Sequence, residues 1–234
     1  MVALEFDHAG ESTTSPAIEP LPKKHGARYK RIRKRPAKEP YPEVYELKVE
    51  CLGELEELSK SGLIDLYYGD ESRVSMEPCV PYGWQFPGEE VFMPEAKGAG
   101  LNCFALLSRA NNLRFATTRQ RITSQFIIEQ FERLSFSIKQ MTVVVLDNAR
   151  VHRSHQVQER RPFWQQRGLF IFYLPPYSPH LNLAERLWRK LKYEWLQPSD
   201  YATTDGLFYQ VRQALAAVGT RLKIRFSEFS LGLN

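Results

Sequence analysis

An α/β fold with one mixed sheet flanked by helices is the architecture this chain predicts, behind a disordered basic arm over residues 1–40. Two continuous apolar runs, Met141–Leu146 (MTVVVL) and Leu169–Leu174 (LFIFYL), have the composition of strands buried on both faces. Two shorter strand-like segments, Leu101–Leu107 and Leu113–Thr118, flank Asn111-Asn112 as the arms of a hairpin flank its turn. Strands that begin as a hairpin and then alternate with helical segments give a sheet with both antiparallel and parallel pairs.

The elements follow in order. Residues 1–22 mix Ser, Thr, Pro, Glu and Gly without periodicity, and the basic run behind them contains Gly26 and Pro36, so neither stretch can build a core. From Tyr41, Val44, Leu47, Cys51, Leu55 and Leu58 recur at steps of three and four, which predicts an amphipathic helix ended by Ser61-Gly62. Leu63–Gly69 is strand-like and Thr123–Leu134 helical. A helix over His155–Gly168 separates the two apolar runs, a helix over Asn182–Leu196 follows them, and a final helix covers Thr204–Leu222. Residues 41–234 thus form the expected folded domain.

Hydrophobic residues make up 43% and charged residues 25% of the 234, which excludes a fibrous or wholly disordered chain. The net charge of +5 is local: Lys23–Lys38 holds nine Lys or Arg and no acid, leaving 23 basic against 27 acidic groups elsewhere. Such a run attracts polyanions by releasing their counterions, and it serves equally as a solvated linker. Cys51, Cys79 and Cys103 are far apart with no Cys-x-x-Cys pair, so they are expected as reduced packing thiols rather than zinc ligands. The acidic N-terminus lacks the apolar stretch of a signal peptide and no run approaches the ~20 residues of a membrane span, so a cytoplasmic location is expected.

The chemistry lies in acids at the ends of core elements. Asp70 follows the first strand and Asp147 the MTVVVL strand, and rigid strand ends hold side chains accurately. Period two puts Ile64, Leu66, Tyr68 and Asp70 on one face and Glu71 on the other, so only one of the two adjacent acids can join a site there, and Asp70 is the choice. On the Asn182–Leu196 helix, Leu187, Leu191 and Trp195 form the packing stripe, with Glu185 at its edge one turn in, sharing a neighbouring stripe with Trp188, Arg189 and Lys192. Three converging carboxylates repel unless cations neutralise them, and oxygen-only donors suit magnesium or manganese. Two such ions can activate an attacking oxygen and stabilise a leaving one, which is phosphodiester chemistry. Taken singly, Asp70 and Asp147 are equally turn formers after strands and Glu185 a solvated helix residue.

Around these acids the chain resembles the Tc/mariner-like insertion-sequence transposases. The likeness rests on LYYGDES at Asp70, VVVLDNARVHRS at Asp147 and LPPYSPHLNLAERLWRKLK at Glu185, in the family's order and with 37 residues between the last two acids. It covers roughly Tyr41 to Trp195. The resemblance implies a ribonuclease H-like catalytic domain and a DDE triad of Asp70, Asp147 and Glu185 as metal ligands, with two Mg2+ or Mn2+ ions. It also implies double-stranded DNA as substrate, hydrolysis at the element's ends, attack of the freed 3′ hydroxyl on target DNA, and assembly as a homodimer or larger on DNA. Members commonly have Pro-Ile where Leu183-Ala184 stand here. They also carry N-terminal helix-turn-helix modules, whereas this chain shows a basic linker, as expected of a catalytic half whose end recognition resides in a separately encoded subunit or is lost. A nuclease that cuts without joining and a catalytically silent nucleic-acid-binding remnant are the alternatives.

Other residues stay open between two roles. Asn148 is placed either to orient a metal-bound water or to form a turn, and Asn182 as support for the site. His152 and His155 are candidates for phosphate contact, for helix capping or for a metal site with Asp147. Lys30, Arg31, Arg33, Lys34 and Arg35 in the arm, with Arg150, His152, Arg153, Arg189 and Lys192 beside the acids, are the candidate DNA contacts, and Lys190 belongs with this group. Trp84, in GWQFPGEE, either matches the family's loop between the first two strands or folds back on the core.

Overall fold

The computed structural model describes residues 41–77, 87–88 and 99–229. The expected tail and basic arm, with Lys30, Arg31, Arg33, Lys34 and Arg35, lie outside the described residues, as do Cys79 and Trp84. The order is α1 (Pro42–Lys60), β1 (Asp65–Ser75), β2 (Gly100–Leu107), β3 (Leu113–Thr118), α2 (Ser124–Ser137), β4 (Thr142–Leu146), α3 (His155–Gln166), β5 (Leu169–Tyr173), α4 (Ala184–Lys190) and α5 (Thr204–Ala217). The five strands form one sheet in the order β3-β2-β1-β4-β5. Pairs β3/β2 and β2/β1 are antiparallel, and β1/β4 and β4/β5 are parallel, so the mixed α/β sheet read from the sequence is present. Among the described residues no helix is long and apolar enough to cross a membrane.

Strand alternation divides the core between the two sheet faces. On one face α2 and α3 cover Tyr67, Phe104, Leu106, Val144 and Leu146 with Ile127, Phe131, Val157 and Trp164. On the other, α4 and α5 cover Val74, Leu101, Cys103 and Ala105 with Leu187, Trp188, Phe208 and Val211, while α1 adds Leu52 over Leu66, Tyr68 and Val145. The β2/β3 turn is the expected one: Asn111 takes φ 64°, and its side-chain amide brackets the backbone N–H and C=O of Ile224, tying the C-terminal segment to the hairpin.

Five expectations are corrected. The α1 stripe is displaced, for Val44, Leu47 and Leu58 are exposed and Val49, Leu52 and Glu56 are the buried residues. Polar pairing decides that face: the Tyr68 hydroxyl donates to Glu56, and Arg109 Nε donates to its other oxygen at 2.5 Å. Burial and the Glu56 carboxylate together push the Tyr68 phenol up, so it stays a donor. β1 runs six residues past Gly69, because β2 remains its partner from Tyr68↔Leu107 to Ser75↔Gly100 after β4 has left. β5 is an edge strand, with Leu169 and Ile171 buried and Phe170, Phe172 and Tyr173 only partly covered. The helix expected over Asn182–Leu196 begins at Ala184 and passes into a π turn at Leu191–Trp195, where the Leu196 N–H reaches back five residues to the Leu191 carbonyl. α5 likewise stops at Ala217, since Val218 turns extended and Gly219 takes φ 84° with its Cα against the Asn111 carbonyl.

Candidate active site

The parallel register sets the site. β1 and β4 pair from Asp65↔Thr142 to Tyr68↔Val145, so two residues further along each strand Asp70 comes alongside Asp147, where β4 ends and β1 continues. Adjacent strands are about 4.8 Å apart, which makes these two acids neighbours across the sheet. Asp70 is therefore mid-strand rather than at a strand end. Gly69 beside it allows close packing: a Cβ there would stand 2.6 Å from Leu146 Cδ2 and 2.9 Å from Leu106 Cδ2.

Helix α4 is anchored to the same point. The buried Asn182 donates through Nδ2 to the Gly69 carbonyl at 3.0 Å, and its Oδ1 accepts the Ala184 N–H at 3.1 Å. The start of α4 is thereby fixed to the residue before Asp70, and Glu185 follows in the first turn, exposed and on the positive end of the helix. One turn on, the buried Trp188 donates its indole N–H to Asp70 Oδ2 at 3.0 Å. Trp188 was not among the expected site residues. Its signal in the sequence was position alone, three residues after Glu185 on the inner side of the helix.

The electrostatics record the crowding. Burial, then the charges of Glu185, Glu71 and Asp147, push the Asp70 carboxyl up to about 7, although a backbone hydrogen bond at Glu71 opposes them. Asp147 behaves oppositely: burial works to raise it, but hydrogen bonds from His152 and the Ala149 N–H hold it below the ordinary carboxylate range. Among the described residues no three His, Cys, Asp or Glu side chains stand together as a complete ion-holding set. Asp70, Asp147 and Glu185 thus share a field without sharing a ligation geometry. An oxygen-only set whose members disfavour one another's ionisation fits a hard divalent cation, which removes that repulsion.

His152 is a correction. Placed by sequence among DNA contacts and possible metal ligands, it is wholly buried, with Nδ1 2.8 Å from Asp147 Oδ1 and Nε2 2.7 Å from Glu71 Oε1. Both ring nitrogens are engaged, so neither a phosphate nor a metal can be met by them. Burial pulls the imidazole pKa down, but the two carboxylates outweigh it and push it up to about 10. Glu71, set aside because it faces away from Asp70, meets the site from the α2/α3 side through this ring. His155 is exposed at the start of α3, which Ser154 caps, and lies 3.5 Å from Glu159.

The remaining candidates surround the acids. Asn148 donates to the Leu174 carbonyl and accepts from Arg153 Nη1 at 3.3 Å, so it ties the loop after β4 to the end of β5. Arg150, Arg153 and Arg189 are exposed, and Lys190 and Lys192 half-buried. The Arg153 guanidinium lies 5.8 Å from the centre of the Tyr173 ring, on the side of the sheet where Tyr173 donates to the His152 carbonyl at 2.7 Å.

No curated protein sequence matches the chain. Among solved structures it is similar to the Mos1 mariner paired-end complex with Mn (14% identity, 84% of this chain and 62% of that one, TM-score 0.55). It is also similar to the Mos1 transposase paired-end complex with left transposon end (15%, 83% and 60%, TM-score 0.55) and to the Mos1 strand transfer complex (16%, 83% and 60%, TM-score 0.52). The chain spans about 60% of the length of those proteins, and the likeness is one of fold: the ribonuclease H-like sheet with helices on both faces. The family model described as DDE superfamily endonuclease matches residues 65–207, from the first residue of β1 into α5. With that match covering more than half of its length and including all three acids, the chain belongs to the DDE superfamily endonuclease family.

Proposed function

We propose that this chain is the catalytic part of a transposase that cleaves DNA at the ends of a mobile element and joins the freed 3′ ends to target DNA. The observation that carries the reading is the meeting of β1, β4 and α4 at one point of the sheet, where Asp70 stands beside Asp147 and is joined to α4 through Trp188 and Asn182, and where burial first, then the charges of Glu185, Glu71 and Asp147, lift its pKa to about 7. Asp70, Asp147 and Glu185 are the residues that would hold two Mg2+ or Mn2+ ions. When bound, such a pair activates the attacking oxygen and stabilises the leaving one in an in-line phosphoryl displacement.

The protein's own part is placement. Asn182 holds the α4 start, and with it Glu185, against Gly69. Trp188 fixes the direction of Asp70. Arg150, Arg153, Arg189 and Lys192 steer DNA phosphates toward the acids, and the Lys23–Lys38 run adds a salt-sensitive, sequence-independent hold on double-stranded DNA. The chain works on the nucleoid as a dimer or larger assembly. The Mos1 structures, described by name as paired-end and strand-transfer complexes, support this reading by their fold.

The test is a cleavage and strand-transfer assay with element ends, a supplied source of end recognition and Mn2+. Asp147→Asn and Glu185→Gln are expected to reduce both products to background while leaving the circular dichroism spectrum unchanged. Cleavage that survives Asp147→Asn refutes the placement of the site. Cleavage by the unaltered protein without any joined product assigns a nuclease instead.

A further inference from the structure

We propose that Glu71 and His152 are positioning residues that aim Asp147, so that one of its oxygens is held by the protein and the other is presented to the metal. This rests on the reading of Asp147 as a ligand and names what sets its direction.

Asp147 lies one residue past β4, outside the ladder that would otherwise fix it. Two donors meet it there, the Ala149 N–H at 2.9 Å and His152 Nδ1 at 2.8 Å, and both go to Oδ1. Oδ2 has no hydrogen bond among the described residues, while half of the side chain's surface remains open. A carboxylate held by one oxygen can turn only about that bond, so its second oxygen has a set direction.

His152 is itself held on three sides. Its Nε2 meets Glu71 Oε1 at 2.7 Å, its backbone N–H donates to the Ala149 carbonyl at 3.0 Å, and its carbonyl accepts the Tyr173 hydroxyl at 2.7 Å. The ring is fully buried, so no water replaces either carboxylate. Glu71 stands in β1 beside Asp70, opposite Phe104 of β2, in the part of the strand that only β2 braces. The chain Glu71–His152–Asp147 therefore links the strand bearing one acid to the loop bearing the other. It runs through the α2/α3 side of the sheet, while Trp188 fixes Asp70 from the α4 side. Asp70 and Asp147 thus each have one oxygen tied by a buried ring N–H.

Groups that orient metal ligands in this way typically alter metal affinity by about 10- to 100-fold when removed. The full chain, titrated with Mn2+ alone and the free ion followed by electron paramagnetic resonance, reads this without any DNA. His152→Ala and Glu71→Ala are expected to weaken Mn2+ binding about 10- to 100-fold. Glu71→Gln, which keeps an acceptor oxygen for His152, should stay within about threefold of the unaltered chain. Melting temperatures taken alongside separate loss of fold from loss of aim, and should His152→Ala not fold, the half-buried Glu71 pair decides. Unaltered affinity in a folded Glu71→Ala or His152→Ala overturns the proposal. So does Glu71→Gln falling as far as Asp147→Ala, because Glu71 is then a ligand in its own right. If Asp147→Ala itself binds Mn2+ like the unaltered chain, Asp147 is no ligand, and this proposal falls together with the reading beneath it.

Discussion

Replacing Asn182 probes the joint on which the site depends. The side chain is buried and makes two bonds of opposite sense, donating to the Gly69 carbonyl and accepting the Ala184 N–H. Asn182→Ala removes both at once and leaves little room for water to substitute. Each buried polar group that loses a partner costs about 1–3 kcal/mol, so the variant should lose roughly 2–4 kcal/mol. A domain of this size shifts by about 2–4 °C per kcal/mol, which puts the melting temperature lower by about 10 °C. Asn182→Asp separates the two bonds: its Oδ1 still accepts from Ala184, but no donor reaches Gly69, and a further negative charge enters beside Asp70, Glu185 and Asp147. It should be at least as unstable as the alanine variant at neutral pH. Urea unfolding of the full chain, followed by tryptophan fluorescence and far-ultraviolet circular dichroism, measures both. A loss under about 0.5 kcal/mol for Asn182→Ala, well short of one unmet buried group, or wild-type stability for Asn182→Asp refutes the view that this side chain joins α4 to β1.

Two further outcomes concern the frame around the site. Arg109→Met leaves Glu56 buried with only the Tyr68 hydroxyl as partner, and should cost about 3–5 kcal/mol in urea unfolding, whereas simultaneous Glu56→Leu should recover most of the loss. Glu132 is pushed up by burial but held below the ordinary range by hydrogen bonds from Arg160 and Arg167. Because its folded-state pKa is depressed, its contribution is full above the unfolded value of about 4.3 and is lost as pH falls through the lower folded value. The gap in melting temperature between the unaltered chain and Glu132→Gln should therefore be widest near neutrality and close in acid. A gap that does not change between pH 7 and pH 3 contradicts this.

Much of the framework was legible in order along the chain. Thr142–Leu146 of the MTVVVL run became β4, buried along its whole length, with Met141 exposed before it, and Asn111-Asn112 became the hairpin turn, because each signal depends on one element's own composition. Asp147 and Glu185 were singled out for the same reason, since one follows a strand and the other opens a helix, whereas Asp70, expected at a strand end, lies within β1. The face of α1 was not legible: its apolar stripe at Val44, Leu47 and Leu58 is regular, yet the helix turns Glu56 inward to meet Tyr68 and Arg109. Nor was the edge position of β5, whose LFIFYL run is as apolar as that of a central strand.

The succession of strands and helices, the mixed character of the sheet and the identity of the acids belong to the order of residues, because short-range periodicity and turn chemistry act within about a dozen positions. Which acid is tied to which partner belongs to the folded molecule. Glu71 and His152 are 81 positions apart, and Asp70 and Trp188 118 apart. Those contacts exist only after β4 has taken its place beside β1 and α4 has been drawn onto Gly69. No local pattern encodes that meeting, since it follows from the register between strands and the packing of helices on two opposite faces of one sheet.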